Sequence, residues 1–285
     1  MLIRSIHSLI AGTLLIAASL PLAAQDKAPA GASALETVRH RGSLIMLCFP
    51  HQESTFIRVN TERGPMKHDG TAADFEGVDV DIMAGFAKSL GVDLEVRPAL
   101  GDNGMPSYTA VFVSLDKGEG DLIASSLTIT EARKERVDFS IPYHTVRPLI
   151  VVREDSDIAG VGDLAGKTAA VLKGSSQEEH LRRLGFDDAH FAYQEFTLEN
   201  YDAVLSGRAD LTLVDSDSAY SFLDKTMGLK IAFAIPDSDE SYGFALPKGS
   251  DLLGPLDAYL EQLEASGELA RIKARYLSPP PPGAP

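Results

Sequence analysis

The sequence predicts an α/β protein made of two similar lobes. Apolar runs of strand length alternate with segments of helical spacing between residues 44 and 125, and again between 168 and 223. This β-α-β-α-β order predicts, in each lobe, a mostly parallel sheet with helices on both faces. A short pattern also recurs, because Gly118-x-x-Asp121 and Gly207-x-x-Asp210 each lie directly before an apolar strand. We therefore expect two lobes of one design rather than a single extended sheet.

The first block contains three predicted strands and two predicted helices. The first helix has apolar residues at helical spacing and ends at Gly91, whereas the segment after it alternates as a half-buried strand. In chain order the block is predicted as strand 44–47, helix 80–90, strand 92–96, helix 108–115 and strand 122–125.

The second block repeats this order. A helix follows its first strand from about Ser175, and the last predicted helix runs through Ala219 to Leu223. Its other elements are strand 168–172, strand 191–196, helix 198–205 and strand 211–214.

The N-terminus is typical of an export signal. Arg4 precedes an apolar run from Leu9 to Leu22 that is too short to span a bilayer as a helix, and Ala23-Ala24 provides small residues for cleavage. We expect residues 1–24 to be a signal peptide and the mature chain to start near Gln25 in the periplasm. No cysteine follows the apolar run, which argues against a lipid anchor. The proline-rich segment 278–285 is predicted to be a disordered tail.

Composition restricts the partners. The sequence has 26 basic and 41 acidic residues, and removal of Arg4 with the signal leaves 25 against 41, a net charge of −16. Nucleic acid and anionic membranes are disfavoured by such a charge. The single cysteine, Cys48, cannot form an internal disulfide and reads as a small apolar filler. The histidines lack the spacing of metal ligands, so we expect neither a metal nor a cofactor.

Arg133 places a positive charge near the start of a predicted helix, where the helix dipole disfavours it. Thr130 is a good helix N-cap, so Arg133 falls in the first turn, facing the positive end of the helix dipole. A carboxylate between the guanidinium and the helix amides removes this cost. Ser125, Ser126 and Thr128 add hydroxyl groups on the approach. The alternative is a surface arginine on an ordinary helix.

Two further strand ends carry polar residues. In the segment Gly174-Ser175-Ser176, the glycine permits close approach of a ligand, and Ser175-x-x-Glu178 fits a capping box, which alone explains the segment equally well. Asp215 ends an apolar strand, and its alternative role is to cap the following helix. Because ligands of open α/β sheets bind at the carboxyl ends of strands, we expect a cleft between the lobes. Arg133 and Asp215 would there hold the two ends of a zwitterion such as an α-amino acid.

Several motifs in this order resemble one family, the amino-acid-type extracytoplasmic solute-binding proteins that serve as receptor subunits of ABC importers. The resemblance runs from about Leu35 to Leu277. It rests on Gly77-Val78-Asp79-Val80-Asp81-Ile82, the aromatic-led helix from Tyr108 to Asp121, Thr128-x-Thr130-x-x-Arg133, Val137-Asp138-Phe139-Ser140-x-Pro142-Tyr143, Leu164-x-Gly166-Lys167 and Tyr242-Gly243-Phe244-Ala245-Leu246-Pro247-Lys248.

The resemblance implies a two-lobed periplasmic binding protein-like fold (type II), with two α/β lobes joined by a two-segment hinge. The first lobe would contain residues 35–145 and 240–277, and the second residues 146–239. The crossing segments are expected near 143–149 and 235–242, and the final helices, from about Leu252 to Tyr276, would return to the first lobe.

The family pattern also implies roles for matching positions. Arg133 would pair with the α-carboxylate, helped by Thr128 and by amides near Ser126 and Ser175, while Asp215 would accept from the α-ammonium. An aromatic residue after the first strand usually stacks on the ligand side chain, and Phe49 or Phe56 fills that role here. The remaining candidate ligand-binding residues are Ser125, Ser176 and Tyr108. The stretch from Cys48 to Phe75 is longer than the family usually has.

These observations predict a periplasmic receptor, not an enzyme, that is monomeric and delivers an amino acid or similar zwitterion to an ABC permease by lobe closure. One alternative is a binding module without transport, which senses a ligand or accompanies an oxidoreductase. Another is an enzyme on the same fold resembling cyclohexadienyl dehydratase, for which Asp239 or Glu240 would be the candidate general acid.

Overall fold

The chain forms fifteen strands and nine α-helices within the part that the computed structural model describes, residues 31–52, 54–223 and 228–280. The strands are β1 (Ser43–Cys48), β2 (Arg58–Val59), β3 (Gly70–Thr71), β4 (Phe75–Glu76), β5 (Asp93–Pro98), β6 (Leu122–Ile123), β7 (Val137–Phe139), β8 (His144–Val146), β9 (Pro148–Arg153), β10 (Ala169–Leu172), β11 (Phe191–Gln194), β12 (Leu211–Asp215), β13 (Leu229–Ala234), β14 (Glu240–Tyr242) and β15 (Ala245–Pro247). The helices are α1 (Ala34–Arg41), α2 (Val78–Leu90), α3 (Ala110–Asp116), α4 (Glu131–Arg136), α5 (Ser176–Arg183), α6 (Thr197–Leu205), α7 (Ser216–Leu223), α8 (Leu253–Ala265) and α9 (Glu268–Tyr276). None of these helices is long and apolar enough to cross a membrane.

Six strands build the sheet of the first lobe in the order β3-β5-β1-β6-β15-β7. The central strand β1 runs parallel to β5 and β6, whereas β15 is antiparallel to both β6 and β7. Helices α2, α8 and α9 contribute buried side chains to one core with β1, including Phe86, Leu256 and Ile272. The parallel core of the sheet was predicted, but its antiparallel edge was not, because β15 arrives from a distant part of the chain.

The second lobe has a five-stranded sheet in the order β11-β10-β12-β9-β13. Strand β10 is parallel to β11 and β12, while β9 and β13 are antiparallel to their neighbours. The expectation of a mostly parallel sheet therefore fails on this side of the lobe. Strand β9 begins at Pro148, immediately after a crossing between the lobes, and this connection dictates its antiparallel direction.

The recurring Gly-x-x-Asp pattern has a structural basis. Asp121 in the first lobe accepts a hydrogen bond from the backbone N–H of Ile45 at 2.7 Å, and Asp210 in the second accepts one from Thr168 at 2.8 Å. The backbone N–H of each aspartate also donates to the carbonyl oxygen of that same partner residue. The two lobes thus anchor a neighbouring strand with the same pair of bonds.

The chain passes between the lobes at β8 and at β14, which pair with each other as an antiparallel ribbon from Glu240↔Val146 to Tyr242↔His144. Both strands fall within the ranges where crossings were expected. The segment that follows β15 packs on the first lobe, since Ile141 donates its N–H to Asp257 of α8 and Tyr276 of α9 donates to Asp81. The predicted signal peptide, residues 1–24, and residues 281–285 of the predicted tail lie outside the described residues.

The long stretch after β1 folds back toward the cleft. Strands β2 and β4 pair as a short hairpin, and most of the residues between them are exposed. Its first part is attached to the start of α2, because Val78 and Asp79 donate their N–H groups to the carbonyl oxygens of Thr55 and Phe56. Gly77 is required at this junction: its φ is +136°, and a Cβ there would lie 2.2 Å from the Phe56 carbonyl oxygen.

Candidate functional site

A cavity lies between the lobes, and about 80 Å³ of it is accessible to water-sized molecules. The first lobe and its long loop contribute Phe49, His51, Ser54, Thr55, Phe56, Tyr108, Ser125, Ser126 and Thr128. The second lobe contributes Leu172, Ser175, Ser176, Gln177, Thr197, Asn200, Leu213, Val214, Asp215 and Ser218, and Tyr242 comes from the crossing strand β14. Eight of the nine residues predicted from the sequence line this cavity; Arg133 does not.

The wall of the first lobe is held by a buried carboxylate. Asp79 is fully buried at the start of α2 and accepts from the N–H of Ser126 at 2.7 Å and from the hydroxyl of Tyr143 at 2.5 Å. Ser126 has a φ of +44°, a left-handed conformation that is unfavourable for a serine. Burial raises the pKa of Asp79 to about 7. The carboxylate thus positions the backbone from which Ser125 and Ser126 face the cavity.

We expect Asp79→Ala to destabilise the fold by about 2–4 kcal/mol, because it leaves the Ser126 amide and the Tyr143 hydroxyl buried without a partner. Urea unfolding at pH 6 measures this loss. Asp93→Ala is the control, since Asp93 is an exposed residue at the start of β5. A loss for Asp79→Ala no larger than that of the control would contradict the assigned role.

The N-terminus of α5 forms the opposite wall. Ser175 caps the helix by accepting from the N–H of Glu178 at 3.1 Å, so the capping interpretation of this segment is correct. The carboxylate of Glu178 accepts from the N–H of Gly174 at 2.6 Å, which orders the turn before the helix. Ser175, Ser176 and Gln177 nevertheless line the cavity, so the same residues cap the helix and present its first turn to the cleft.

The lobes touch each other beside this helix. The hydroxyl of Ser176 donates to the hydroxyl of Thr128 at 3.0 Å, and the Arg133 guanidinium reaches the carbonyl oxygen of Gly174 at 3.5 Å. Aromatic rings also meet across the cleft, since Phe49 of the first lobe stacks on Phe196 of the second with centroids 6.0 Å apart. The structure therefore has the two lobes in contact around the cavity.

Arg133 is buried rather than a surface arginine, with 9% of its side chain area exposed. It donates to the carbonyl oxygen of Thr128 at 2.8 Å and to the hydroxyl of Tyr108 at 2.6 Å. It lines a second, more open depression that shares Tyr108 and Ser175 with the main cavity. Within the described chain it makes no ion pair, so its charge is compensated by neutral oxygen atoms alone. Tyr108 therefore lies between the predicted cation and the cavity, a placement that the sequence pattern did not indicate.

Asp215 lies at the end of β12 in the second lobe. Its carboxylate accepts from the side-chain amide of Gln177 at 2.8 Å and from the hydroxyl of Tyr242. Burial, and secondarily the nearby charge of Glu240, raises the pKa of Asp215 to about 6. It forms no ion pair with any described basic side chain, and none of the described residues lining the cavity is a lysine or arginine. Neither Gln177 nor Tyr242 belongs to α7, so the structure gives no support to the capping alternative.

Aromatic side chains close one end of the cavity. Phe49 contacts Tyr108 edge-on with centroids 5.9 Å apart, and the His51 ring lies 5.9 Å away on another side. Phe56 packs between His144 and Tyr242 at the crossing strands. Both candidate aromatic residues thus line the site, although at different places.

Sequence reasoning missed several polar residues of the cavity. His51 has a buried Nδ1 without a partner among the described atoms, and burial lowers the pKa of its ring to about 4. Asn200 is 3% exposed and its Oδ1 is likewise unpartnered among the described atoms. Glu240, one of the two candidate general acids of the enzyme alternative, lies in β14 with its carboxylate 3.5 Å from His180. Only Asn200 had a sequence signal that could have identified it, because it is a polar residue at an inward position of the predicted helix 198–205.

Comparison with known proteins identifies the family. The family model for bacterial extracellular solute-binding proteins, family 3, matches residues 57–279. The chain belongs to this family. Proteins of family 3 are periplasmic or extracellular, and the type II binding-protein fold of two α/β lobes agrees with the two sheets and two crossings seen here.

Solved structures similar to this family 3 protein bind amino acids. A mutant of ArgBP from T. maritima is 29% identical, with a TM-score of 0.72, and the match covers 85% of this chain and 98% of that one. An amino acid substrate-binding protein, AbpA from Streptococcus pneumoniae, bound to L-arginine, is 25% identical with a TM-score of 0.73 over 85% of this chain and 97% of that one. The ancestral amino acid-binding protein AncCDT-1, a precursor of cyclohexadienyl dehydratase, is 26% identical with a TM-score of 0.71 over 87% of this chain and 100% of that one.

Curated relatives of this family 3 protein have two kinds of names. The arginine-binding extracellular protein ArtP of Bacillus subtilis is 28% identical over 73% of this chain and 85% of the relative. Membrane-bound lytic murein transglycosylase F of Desulfosudis oleivorans is 30% identical over 85% of this chain, and that of Pseudomonas fluorescens is 32% identical over 79%. The chain spans about half the length of these transglycosylases, namely 50% and 46%.

Proposed function

We propose that this protein is a receptor for an α-amino acid or a similar small zwitterion. The observation that carries the proposal is a pair of oppositely charged side chains, the buried Arg133 in the first lobe and the half-buried Asp215 in the second, neither of which forms an ion pair within the described chain. Burial of an uncompensated charge is costly, so a ligand that supplies both counter-charges gains more here than in water. A carboxylate that displaces the Tyr108 hydroxyl from Arg133 would bind the guanidinium and the first turn of α5, and an ammonium group would bind Asp215.

Lobe closure is the proposed mechanism of capture. Thr128 and Ser176 come from different lobes and bond to each other beside the cavity, and the ligand contacts proposed here are divided in the same way. A ligand that touches both lobes only when they meet shifts the population toward the closed arrangement. An amino acid of about ten heavy atoms can supply the roughly −8 kcal/mol that micromolar affinity requires.

Delivery to an ABC permease is the proposed outcome of capture, with the protein acting as a periplasmic monomer. The names of AbpA and ArtP support this proposal, because they describe an ABC substrate-binding protein and an arginine-binding extracellular protein. The proposed role is binding without catalysis and needs no metal or cofactor.

A second candidate is a binding module that senses a ligand without transporting it. The similarity to transglycosylase F over most of this chain favours this alternative, with a murein-derived peptide as the corresponding ligand class. The two candidates differ in ligand and in partner, but both require the same cleft.

A screen of thermal unfolding followed by titration calorimetry separates these possibilities. The panel contains the common L-amino acids, including L-arginine, with a murein tripeptide and prephenate as the other arms. A ligand present at 100 times its Kd stabilises the folded protein by about 2.7 kcal/mol and raises the melting temperature. We expect an L-amino acid to do so. Binding of the tripeptide alone would favour the sensing module, turnover of prephenate would favour an enzyme, and the absence of any binding would refute the proposal.

A further inference from the structure

One end of the cavity contains two polar atoms whose hydrogen bonds are not made within the described chain. They are Oδ1 of Asn200 in α6 and Nδ1 of His51 in the long loop, and both residues line the cavity. Such atoms are rare in folded proteins, because an unsatisfied buried polar group costs about 1–3 kcal/mol. Their occurrence together in one cavity indicates a ligand group that completes their hydrogen bonds.

The ring of Phe49 lies beside both the His51 ring and the residue at which the helix of Asn200 begins. Its centroid lies 5.9 Å from the His51 ring and 6.0 Å from that of Phe196, the residue that precedes α6. Asn200 lies one turn into this helix and faces the cavity. Asp215 ends β12, the strand that follows α6, and its carboxylate is already held by Gln177 and Tyr242, whereas Oδ1 of Asn200 has no partner in the described chain.

The chemistry of this end is uncharged. The carboxamide of Asn200 has both a donor and an acceptor, and a neutral imidazole has one of each. Among the described residues that line the cavity, none is a lysine or arginine that could neutralise an anionic side chain, and Asp215 is the only acidic one. A ligand group that both donates and accepts hydrogen bonds without a charge satisfies the two residues, and a carboxamide is the simplest such group.

We propose that Asn200 and His51 form a subsite for the uncharged, hydrogen-bonding side chain of the bound amino acid, with a carboxamide as the preferred group. This inference rests on the proposed function and specifies the ligand class of that same cleft. Phe49 and Tyr108 pack around the methylene groups that precede the carboxamide, while the zwitterionic end of the ligand lies toward Asp215 and α5.

The test compares L-glutamine with L-norleucine and L-glutamate by titration calorimetry on the full chain. We expect L-glutamine to bind at least about tenfold more tightly than either, since the apolar analogue leaves both polar atoms unpaired and the anionic one meets no counter-charge. Equal or tighter binding of L-norleucine or L-glutamate would overturn the subsite but leave the receptor function standing. Failure of all three, and of every other amino acid, to bind would overturn both.

Asn200→Leu tests the residue itself. It should weaken L-glutamine binding about tenfold or more and leave L-norleucine binding unchanged or stronger. Its melting temperature without ligand should equal or exceed that of the wild type, because an unpaired polar atom has been removed. Asp202→Leu places the same side chain on the exposed side of α6 and should change neither affinity. If Asn200→Leu weakens both ligands equally, or lowers the melting temperature, Asn200 is structural and the subsite is refuted; Asn200→Ala repeats the comparison without added bulk.

Discussion

Arg133→Ala should weaken binding of the amino acid that the wild-type protein takes by about thirtyfold or more. The guanidinium is buried and bonded only to neutral oxygen atoms of Thr128, Tyr108 and Gly174 in the described chain, so a ligand carboxylate would be its only anionic partner there. Removing one member of a buried, hydrogen-bonded charge pair costs about 2–5 kcal/mol. A ligand with a micromolar Kd would then have a Kd between roughly 30 μM and several millimolar, a loss that titration calorimetry measures.

The helix that carries Arg133 provides a matched control. Arg136 lies one turn later in α4, is exposed and pairs with Asp116. Arg136→Ala should therefore keep wild-type affinity. Arg133→Lys keeps the positive charge but loses the planar fork that matches a carboxylate, so we expect an intermediate loss. Unchanged affinity of a folded Arg133→Ala protein would exclude the carboxylate contact and, with it, the proposed orientation of the ligand.

Asp215 should make binding dependent on pH. Burial raises the pKa of this carboxyl to about 6, and only the ionised form attracts an ammonium group. Affinity should be constant above about pH 7 and should fall by roughly tenfold per pH unit below about pH 6, as protons compete with the ligand for the carboxylate. Calorimetric titrations from pH 5 to pH 8 measure this profile.

Asp215→Asn should weaken binding by about 2–5 kcal/mol and remove the pH profile, since the amide neither titrates nor carries a charge. Asp202→Asn, on the exposed side of α6, should leave both the affinity and the profile unchanged. An Asp215→Asn protein that binds normally, or that retains the wild-type pH dependence, would disprove the ammonium contact.

Asp215→Asn should weaken ligand binding but should increase the stability of the folded protein at neutral and higher pH. The pKa of Asp215 is about 6 in the folded protein against an ordinary value of 3.8 for an aspartate, so the folded chain holds its proton more tightly than the unfolded chain does. The stability associated with this proton is fully present below about pH 4 and is lost as the pH rises through about 6. At pH 8 the ionised carboxylate therefore disfavours folding, on the order of 3 kcal/mol. Without ligand, Asp215→Asn should unfold at a higher temperature than the wild type at pH 8.

Local patterns were sufficient to predict the three parallel strands of each lobe and the helices between them. Apolar spacing and terminal glycines located the helix ending at Gly91 and the strand ending at Asp215, because these signals depend on residues close in the chain. The antiparallel strands β9, β13 and β15 were harder, since their directions follow from where the chain crosses between lobes. Burial periodicity contains no information about that crossing.

The residues of the candidate site were likewise predictable only where a local sequence signal marks their position. Residues at strand ends and in helix first turns, such as Ser126 and Ser175, could be found because the fold places those positions at the cleft. His51 and Asn200 could not, since they reach the cavity through a loop insertion and through the inward face of a helix. Arg133 illustrates a further limit, because its burial follows from the charge argument whereas the intervening Tyr108 is visible only in three dimensions.

Tyr242 connects the crossing strand β14 to the candidate binding site. Its hydroxyl donates to the carboxylate of Asp215, its ring contacts Phe56, and its backbone belongs to one of the two strands that connect the lobes. Under the proposed function, an ammonium group that displaced the Tyr242 hydroxyl from Asp215 would act directly on one of the two strands that connect the lobes. The same phenol group would then respond to the ligand and belong to the connection between the lobes.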